Sequence, residues 1–231
     1  DLTPTSFFED SPLWAKDRYV DAYLATCGGK VGDPIDPTYV DGILTAAMVG
    51  DAIEAYDAGR YQEALDLYAS AAATPAGDQL RVHNGLYLAN WKLGRSQEAA
   101  DAFGGLVDYG LRNENLAIRF LFKPVTTLFW PPELAKLYPM WLEQLALGAR
   151  RRGACLEITG HTSPSGSVVI NDRLSLLRAD YVASRLRSVA PELEGRMIAN
   201  GVGSRENIVG TGTDDATDAL DRRVEFAVLA C

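Results

Sequence analysis

The string Ala-Gly-Arg-Tyr-Gln-Glu-Ala at Ala58–Ala64 returns as Leu-Gly-Arg-Ser-Gln-Glu-Ala at Leu93–Ala99, with 35 positions from Gly59 to Gly94. Each copy sits in Ala-rich text, and each Gly falls where a tight turn between two helices is needed. Glycine accepts the turn angles that other residues resist. The small Ala64 and Ala99 let the following helix approach its partner closely, and Tyr68 and Phe103 are placed to fill the space one turn further on. Pro75 ends the second helix of the first copy, because proline cannot continue a helix. Residues from about Tyr39 therefore read as two helical hairpins, with the Tyr39–Val49 stretch belonging to the first. Upstream, Leu13, Tyr19, Val20, Tyr23 and Leu24 recur at helical spacing and predict a helix over Pro12–Thr26, followed by a Gly- and Pro-rich loop over Gly28–Pro37.

After Gly110 the period changes. Leu116–Phe122 reads as a β-type run, with Ile118, Phe120 and Phe122 alternating against Arg119. Pro131 and Pro132 open a helix through about Arg152, with Leu134, Leu137, Trp141, Leu145 and Ala149 as its apolar stripe. Cys155–Thr159 is a short strand. Asn171–Arg187 is an amphipathic helix whose expected buried side carries Leu174, Leu177, Tyr181, Val182 and Leu186. Met197–Ala199 and Arg222–Leu229 are two more strands. The order is β-α-β-α-β-β, with helices expected on one face of a mixed sheet. The fold class is thus α followed by α/β, with a helical domain over 1–114 and a second domain over 115–231.

The composition, 47% hydrophobic and 23% charged, is that of an ordinary globular chain. A net charge of −9 argues against a nucleic-acid partner, which needs clustered Lys and Arg. No apolar run approaches the ~18 residues that span a bilayer. Three cysteines, Cys27, Cys155 and Cys231, lack the paired spacing of a zinc site, and one disulfide plus one leftover thiol is the plain arrangement. His83 and His161 lie far from any cysteine, so neither a metal, a cofactor nor a Cys–His nucleophile is expected. Ser163, Ser165 and Ser167 have no nucleophile-elbow motif around them. Asp214, Asp215, Asp218 and Asp221 lack calcium-loop spacing and read as a solvated loop. The chain opens at Asp1 without Met, which suggests a processed start with any signal outside the sequence.

Two resemblances follow. The Gly59 and Gly94 units resemble tetratricopeptide repeats, whose period is 34 residues. The second half resembles the OmpA-like domain. Ile158-Thr159-Gly160-His161-Thr162 with Gly166 is similar to its Gly-His-Thr-Asp loop. Asn171-Asp172-Arg173-Leu174-Ser175, then Arg178-Ala179 and Val182, is similar to its Asn-x-x-Leu-Ser-x-x-Arg-Ala-x-x-Val helix motif. Gly201-Val202-Gly203 and Arg222-Arg223-Val224-Glu225-Phe226 resemble its glycine pair and its closing strand.

What the OmpA-like resemblance implies is a non-enzymatic, periplasmic protein that holds the diaminopimelate of the peptidoglycan stem peptide. Outer-membrane association, through an anchor outside this sequence, is also open. The helical repeats would hold an envelope protein partner. In the family, a helix Arg pairs with a carboxylate of the ligand and a loop Asp faces its ammonium. The Arg corresponds to Arg178, and the loop position holds Ser163, a neutral acceptor. Thr162, Asn171 and Arg223 complete the expected ligand set. With Ser163 in place, three readings stand: binding that is weaker or uses other contacts, recognition of a modified stem peptide, or a protein-interaction scaffold that has lost the ligand. Ser163→Asp is expected to tighten binding. Other roles for single residues are a salt bridge of Arg178 to Asp180, cross-sheet pairing of Arg223, and a loop-fixing side-chain hydrogen bond of His161. In the fold implied, the last strand lies antiparallel to the second, which brings Cys155 and Cys231 together for a disulfide and leaves Cys27 free.

Overall fold

The computed structural model describes residues 37–231; the helix expected over Pro12–Thr26, the loop after it and Cys27 lie outside the described residues. Contacts divide the chain into two compact units, one ending at Ala99 and the other running Ala100–Cys231.

In the first unit, α1 (Pro37–Asp57) and α2 (Tyr61–Ala72) form a hairpin, and α3 (Leu80–Lys92) packs on α2. The turn falls at Gly59, whose φ of 77° is left-handed, and Gly94 repeats it at 73° before α4 (Ser96–Arg112). The small residues singled out in the sequence, Ala64 and Ala99, are fully buried, as are Ala52, Ala55 and Ala71. Tyr68 seats its ring directly on Gly85, where any Cβ would collide with it.

Phe103 does not play the matching part. Its ring stacks on Trp141 with centroids 5.1 Å apart, inside the second unit. Val107 and Leu111 of the same helix approach Gly148, and Arg151 donates to Asp108 at 3.1 Å. The division after Ala99 therefore falls within α4, upstream of the boundary expected after residue 114.

The second unit continues with β1 (Phe120–Leu121), α5 (Pro132–Ala135), α6 (Tyr138–Arg152), β2 (Cys155–Gly160), α7 (Val168–Val189), β3 (Met197–Gly201) and β4 (Arg223–Leu229). The β-α-β-α-β-β order is as expected, with α5 and α6 together in the place of the first helix. The four-stranded sheet runs β1-β4-β2-β3, with β2 parallel to β3 and β4 antiparallel to both β1 and β2. Strand alternation explains the layers. Leu156, Ile158 and Gly160 of β2 stand opposite Val228, Phe226 and Val224 of β4 on one face, and α7 packs on β2, β3 and β4. Phe120, Phe122, Phe129, Tyr138 and Trp141 make a continuous aromatic cluster beside them.

Three expectations need correction. The β-type run Leu116–Phe122 is a strand only at Phe120–Leu121, with a single bridge from Phe122 to Phe129. The helix expected from Pro131 to Arg152 breaks into α5 and α6, with Pro139 sitting in the first turn of the second piece. In α7 the buried row is Asn171, Ser175, Arg178, Val182 and Leu186, whereas Leu177 is 46% exposed. The first half of that helix turns polar residues inward.

Cys155 and Cys231 form the disulfide, with Cα atoms 5.3 Å apart at a sequence separation of 76. The pairing follows from β4 ending beside the start of β2, where Cys155 is opposite Leu229. Among the described residues, no helix is long and apolar enough to cross a membrane.

Candidate functional site

The inward polar face of α7 has a reason: it meets three loops at the end of the sheet where β2 finishes and β4 begins. Together they line a cleft of about 330 Å³, formed by Val125, Thr162, Ser163, Ser165, Gly166, Ile170, Asn171, Leu174, Arg178, Asp214 and Arg222.

Three glycines allow the helix and strands to come this close. A Cβ at Gly160 would strike the Ser175 carbonyl, and one at Gly201 would strike the Leu176 N–H. Gly203 has a φ of 58° and donates its N–H to Ser175 Oγ at 2.9 Å. These are the glycines quoted in the motifs of the second half.

Arg178 has no exposed surface. Its Nε donates to the Thr126 carbonyl at 2.9 Å, Nη1 to His161 at 2.8 Å and Nη2 to Lys123 at 2.9 Å. Its guanidinium lies 5.2 Å from the centre of the Phe122 ring. Asp180 is not its partner, and among the described residues no carboxylate forms an ion pair with it. Burial and the neighbouring Arg222 cation push its pKa down to about 10, against the pull of Asp214, so it stays charged at neutral pH. A guanidinium carries five N–H groups, and the carbonyls take three. The clamped loop is itself strained, for Val125 holds a φ of 57° that β-branched residues rarely adopt.

Thr162 is buried, lines the cleft, and leaves its Oγ1 without a hydrogen-bond partner. Asn171 donates its amide to the Ser165 carbonyl at 3.0 Å and more distantly to Ser163 at 3.4 Å, which makes it a loop-holding residue. Ser163 Oγ donates to Asp214 Oδ1 at 2.6 Å.

Asp214 and Arg222 have no counterpart in the set of residues read from the sequence. Asp214 has a left-handed φ of 58°, and its N–H donates to Asp218 Oδ2 at 3.0 Å. Its Oδ1 also accepts from Arg222 Nη1 at 3.0 Å. Arg222, buried, donates further to the Phe122 carbonyl at 3.1 Å and the Asp215 carbonyl at 3.0 Å. The acidic segment is thus solvated only in part: Asp215 is exposed, whereas its other acids turn toward the protein. Asp218 and Asp221 have no exposed surface. Asp221 accepts the N–H groups of Ile208, Val209 and Gly210, and Asp218 accepts both the N–H and the hydroxyl of Thr211. The Thr211 hydroxyl leads in holding the Asp218 carboxyl below its usual range.

Arg223 points elsewhere. It donates to both oxygens of Glu225, two residues along its own strand, at 2.8 and 3.3 Å, rather than across the sheet or into the cleft. His161 fixes its loop through the backbone: its N–H donates to the Arg223 carbonyl at 2.8 Å and its carbonyl accepts from Arg178. The ring, without exposed surface, sets Nε2 3.2 Å from Glu225 Oε1, too poorly aligned for a hydrogen bond. Burial and the Arg223 charge push its pKa down to about 4. His161, Glu206 and Glu225 are the described residues that could gather around a metal ion. A cation there would have to displace Arg223 from Glu225, so the donor set does not suit one.

The fold is an α/β module whose cleft is lined by a buried cation, Arg178, and a carboxylate, Asp214. No family model matches the chain, and no curated protein matches it either. Among solved structures, the chain is similar to the peptidoglycan-associated lipoprotein from Burkholderia pseudomallei at 21% identity, covering 48% of this chain and 89% of that one, with a TM-score of 0.42. It is similar to the cell wall anchor of the T6SS from Pseudomonas aeruginosa at 28% identity, covering 48% and 76%, with a TM-score of 0.37. The C-terminal domain of Helicobacter pylori MotB matches at 17% identity, covering 50% and 88%, with a TM-score of 0.39.

Proposed function

We propose that the second unit docks on peptidoglycan by taking a stem-peptide carboxylate into the cleft, in a non-enzymatic protein of the periplasm. Arg178 carries this reading. A buried charge without a counter-ion is costly, and hydrogen bonds to carbonyls compensate only part of the lost hydration. An incoming carboxylate meets a planar fork with donors to spare, beside the unpartnered Thr162 hydroxyl. The disulfide fits an oxidising compartment. The helical hairpins of the first unit, similar to tetratricopeptide repeats, would hold an envelope protein. A second reading, a scaffold that has lost the ligand, draws on the same residue, since three carbonyl bonds give Arg178 a structural task of its own.

The test is retention on insoluble diaminopimelate-containing peptidoglycan, with free diaminopimelate as competitor, for wild type beside Arg178→Ala and Arg178→Lys. Docking requires retention by wild type that the competitor lowers, and a loss of about tenfold or more in both variants when folded. Wild-type retention no greater than that of an unrelated acidic protein would leave the scaffold reading.

A further inference from the structure

We infer that Asp214, carried on the loop before β4, receives the ammonium of the ligand, so that the cleft is a zwitterion site whose acid comes from a different loop than the resemblance implies. This rests on the docking reading and extends it to the ligand's second charge.

The lining of the cleft holds three charged side chains, Arg178, Arg222 and Asp214. Asp214 Oδ1 is engaged twice, by Ser163 Oγ and by Arg222 Nη1. Oδ2 has no partner among the described residues. An ionised carboxylate has about four acceptor positions, so this one keeps capacity for a further donor. It is also held in place before any ligand arrives: Asp218 fixes its backbone N–H, and Arg222 is fixed in turn by the Phe122 and Asp215 carbonyls. Pre-organisation of this kind lowers the ordering cost of binding.

Ser163 then has a defined part. It brings no charge of its own, and its single proton is committed to the acid at 2.6 Å. The hydroxyl positions Asp214, and the negative charge reaches the cleft from the opposite loop. Arg222 neutralises Asp214 within their pair, whereas the charge of Arg178 is unmatched. A ligand head with an ammonium next to a carboxylate answers both sites at once: carboxylate on Arg178, ammonium on Asp214 Oδ2. One consequence reverses the expectation drawn from the resemblance. Ser163→Asp in the wild-type chain sets two carboxylates within hydrogen-bond distance of each other, where like charges resist joint ionisation, so it brings no gain.

The experiment measures affinity of the full chain for three soluble stem peptides. The first ends in diaminopimelate with its ammonium and adjacent carboxylate free, the second has that ammonium acetylated, and the third has that carboxylate amidated. The expected result is a loss of about tenfold or more for both modified peptides. Asp214→Asn should bind the free and acetylated peptides alike, and Asp214→Asn with Ser163→Asp should recover the preference for the free ammonium. Equal affinity of the wild-type chain for the free and acetylated peptides overturns the assignment of Asp214 while leaving docking intact. Equal affinity for the free and amidated peptides overturns docking through Arg178. The ligand arms use only the wild-type protein, so they decide the matter even if Asp214→Asn fails to fold.

Discussion

His161 gives the second unit a defined response to acid. Its pKa is pushed below 6.5 to about 4, mainly by burial, so the unfolded chain binds this proton more readily than the folded one. Stability is therefore complete above about pH 6.5 and falls as the pH drops from there through 4. By pH 5 the loss from this residue is about 2 kcal/mol. Urea unfolding at pH 7.5 and pH 5 measures it, and a non-titrating His161→Asn should flatten the difference. Asp218 titrates lower, because its carboxyl is held below the ordinary range, so it stays out of that window. Arg178 makes a different contribution. It ties Lys123 and Thr126, on either side of the strained Val125, to the loop at His161. Arg178→Ala should lower the unfolding free energy by about 3 kcal/mol, with Arg178→Lys recovering only part of it, because an ammonium cannot match a fork aimed at three separate carbonyls.

At the scale of elements, the contact between α7 and the sheet depends on the absence of side chains. Gly160→Ala should cost about 3 kcal/mol, since its Cβ meets the Ser175 backbone, which has no room to give. Gly166, with a φ of 88° and nothing near its Cβ, should cost only about 1 kcal/mol as Ala. Thermal unfolding of the two variants separates close approach from backbone strain. The strands β2, β3 and β4 were legible in the sequence because alternation such as Val224, Phe226 and Val228 needs only a period of two. The side of α7 that packs inward was not. Its apolar row points partly to solvent at Leu177, while Asn171, Ser175 and Arg178 turn inward because they build the cleft. Local pattern and fold disagree at this site. The choice between Arg222 and Arg223 was within reach, because neighbours on a strand face opposite ways and only one can enter the cleft. Asp214 was out of reach: a loop has no period, and contacts from Asp218, Ser163 and Arg222 determine where it points.

For the whole molecule, the division inside α4 has a consequence for dissection. A fragment beginning at residue 115 lacks Phe103, Val107 and Leu111, all buried. It should unfold at a lower denaturant concentration than a fragment beginning at Ala100. Titration of denatured, unreduced protein should find one reactive thiol, that of Cys27, and three would contradict the bridge. The bridge also bears on how the sheet resists being pulled. The loops that follow β2 and precede β4 line the cleft, and those strands meet at that end with Gly160 opposite Val224. Tension entering there runs into the adjacent ends of both strands, whose far ends are covalently joined through Cys155 and Cys231. The sheet's central ladder is a closed ring that cannot be peeled open from its distal end. When the oxidised chain is stretched between its two ends in a force spectrometer, the 75 residues between the bonded cysteines, which are 76 positions apart, stay out of the measured extension. Full unfolding should therefore be shorter than for the reduced chain by about 260 Å, at roughly 3.4 Å for each enclosed residue.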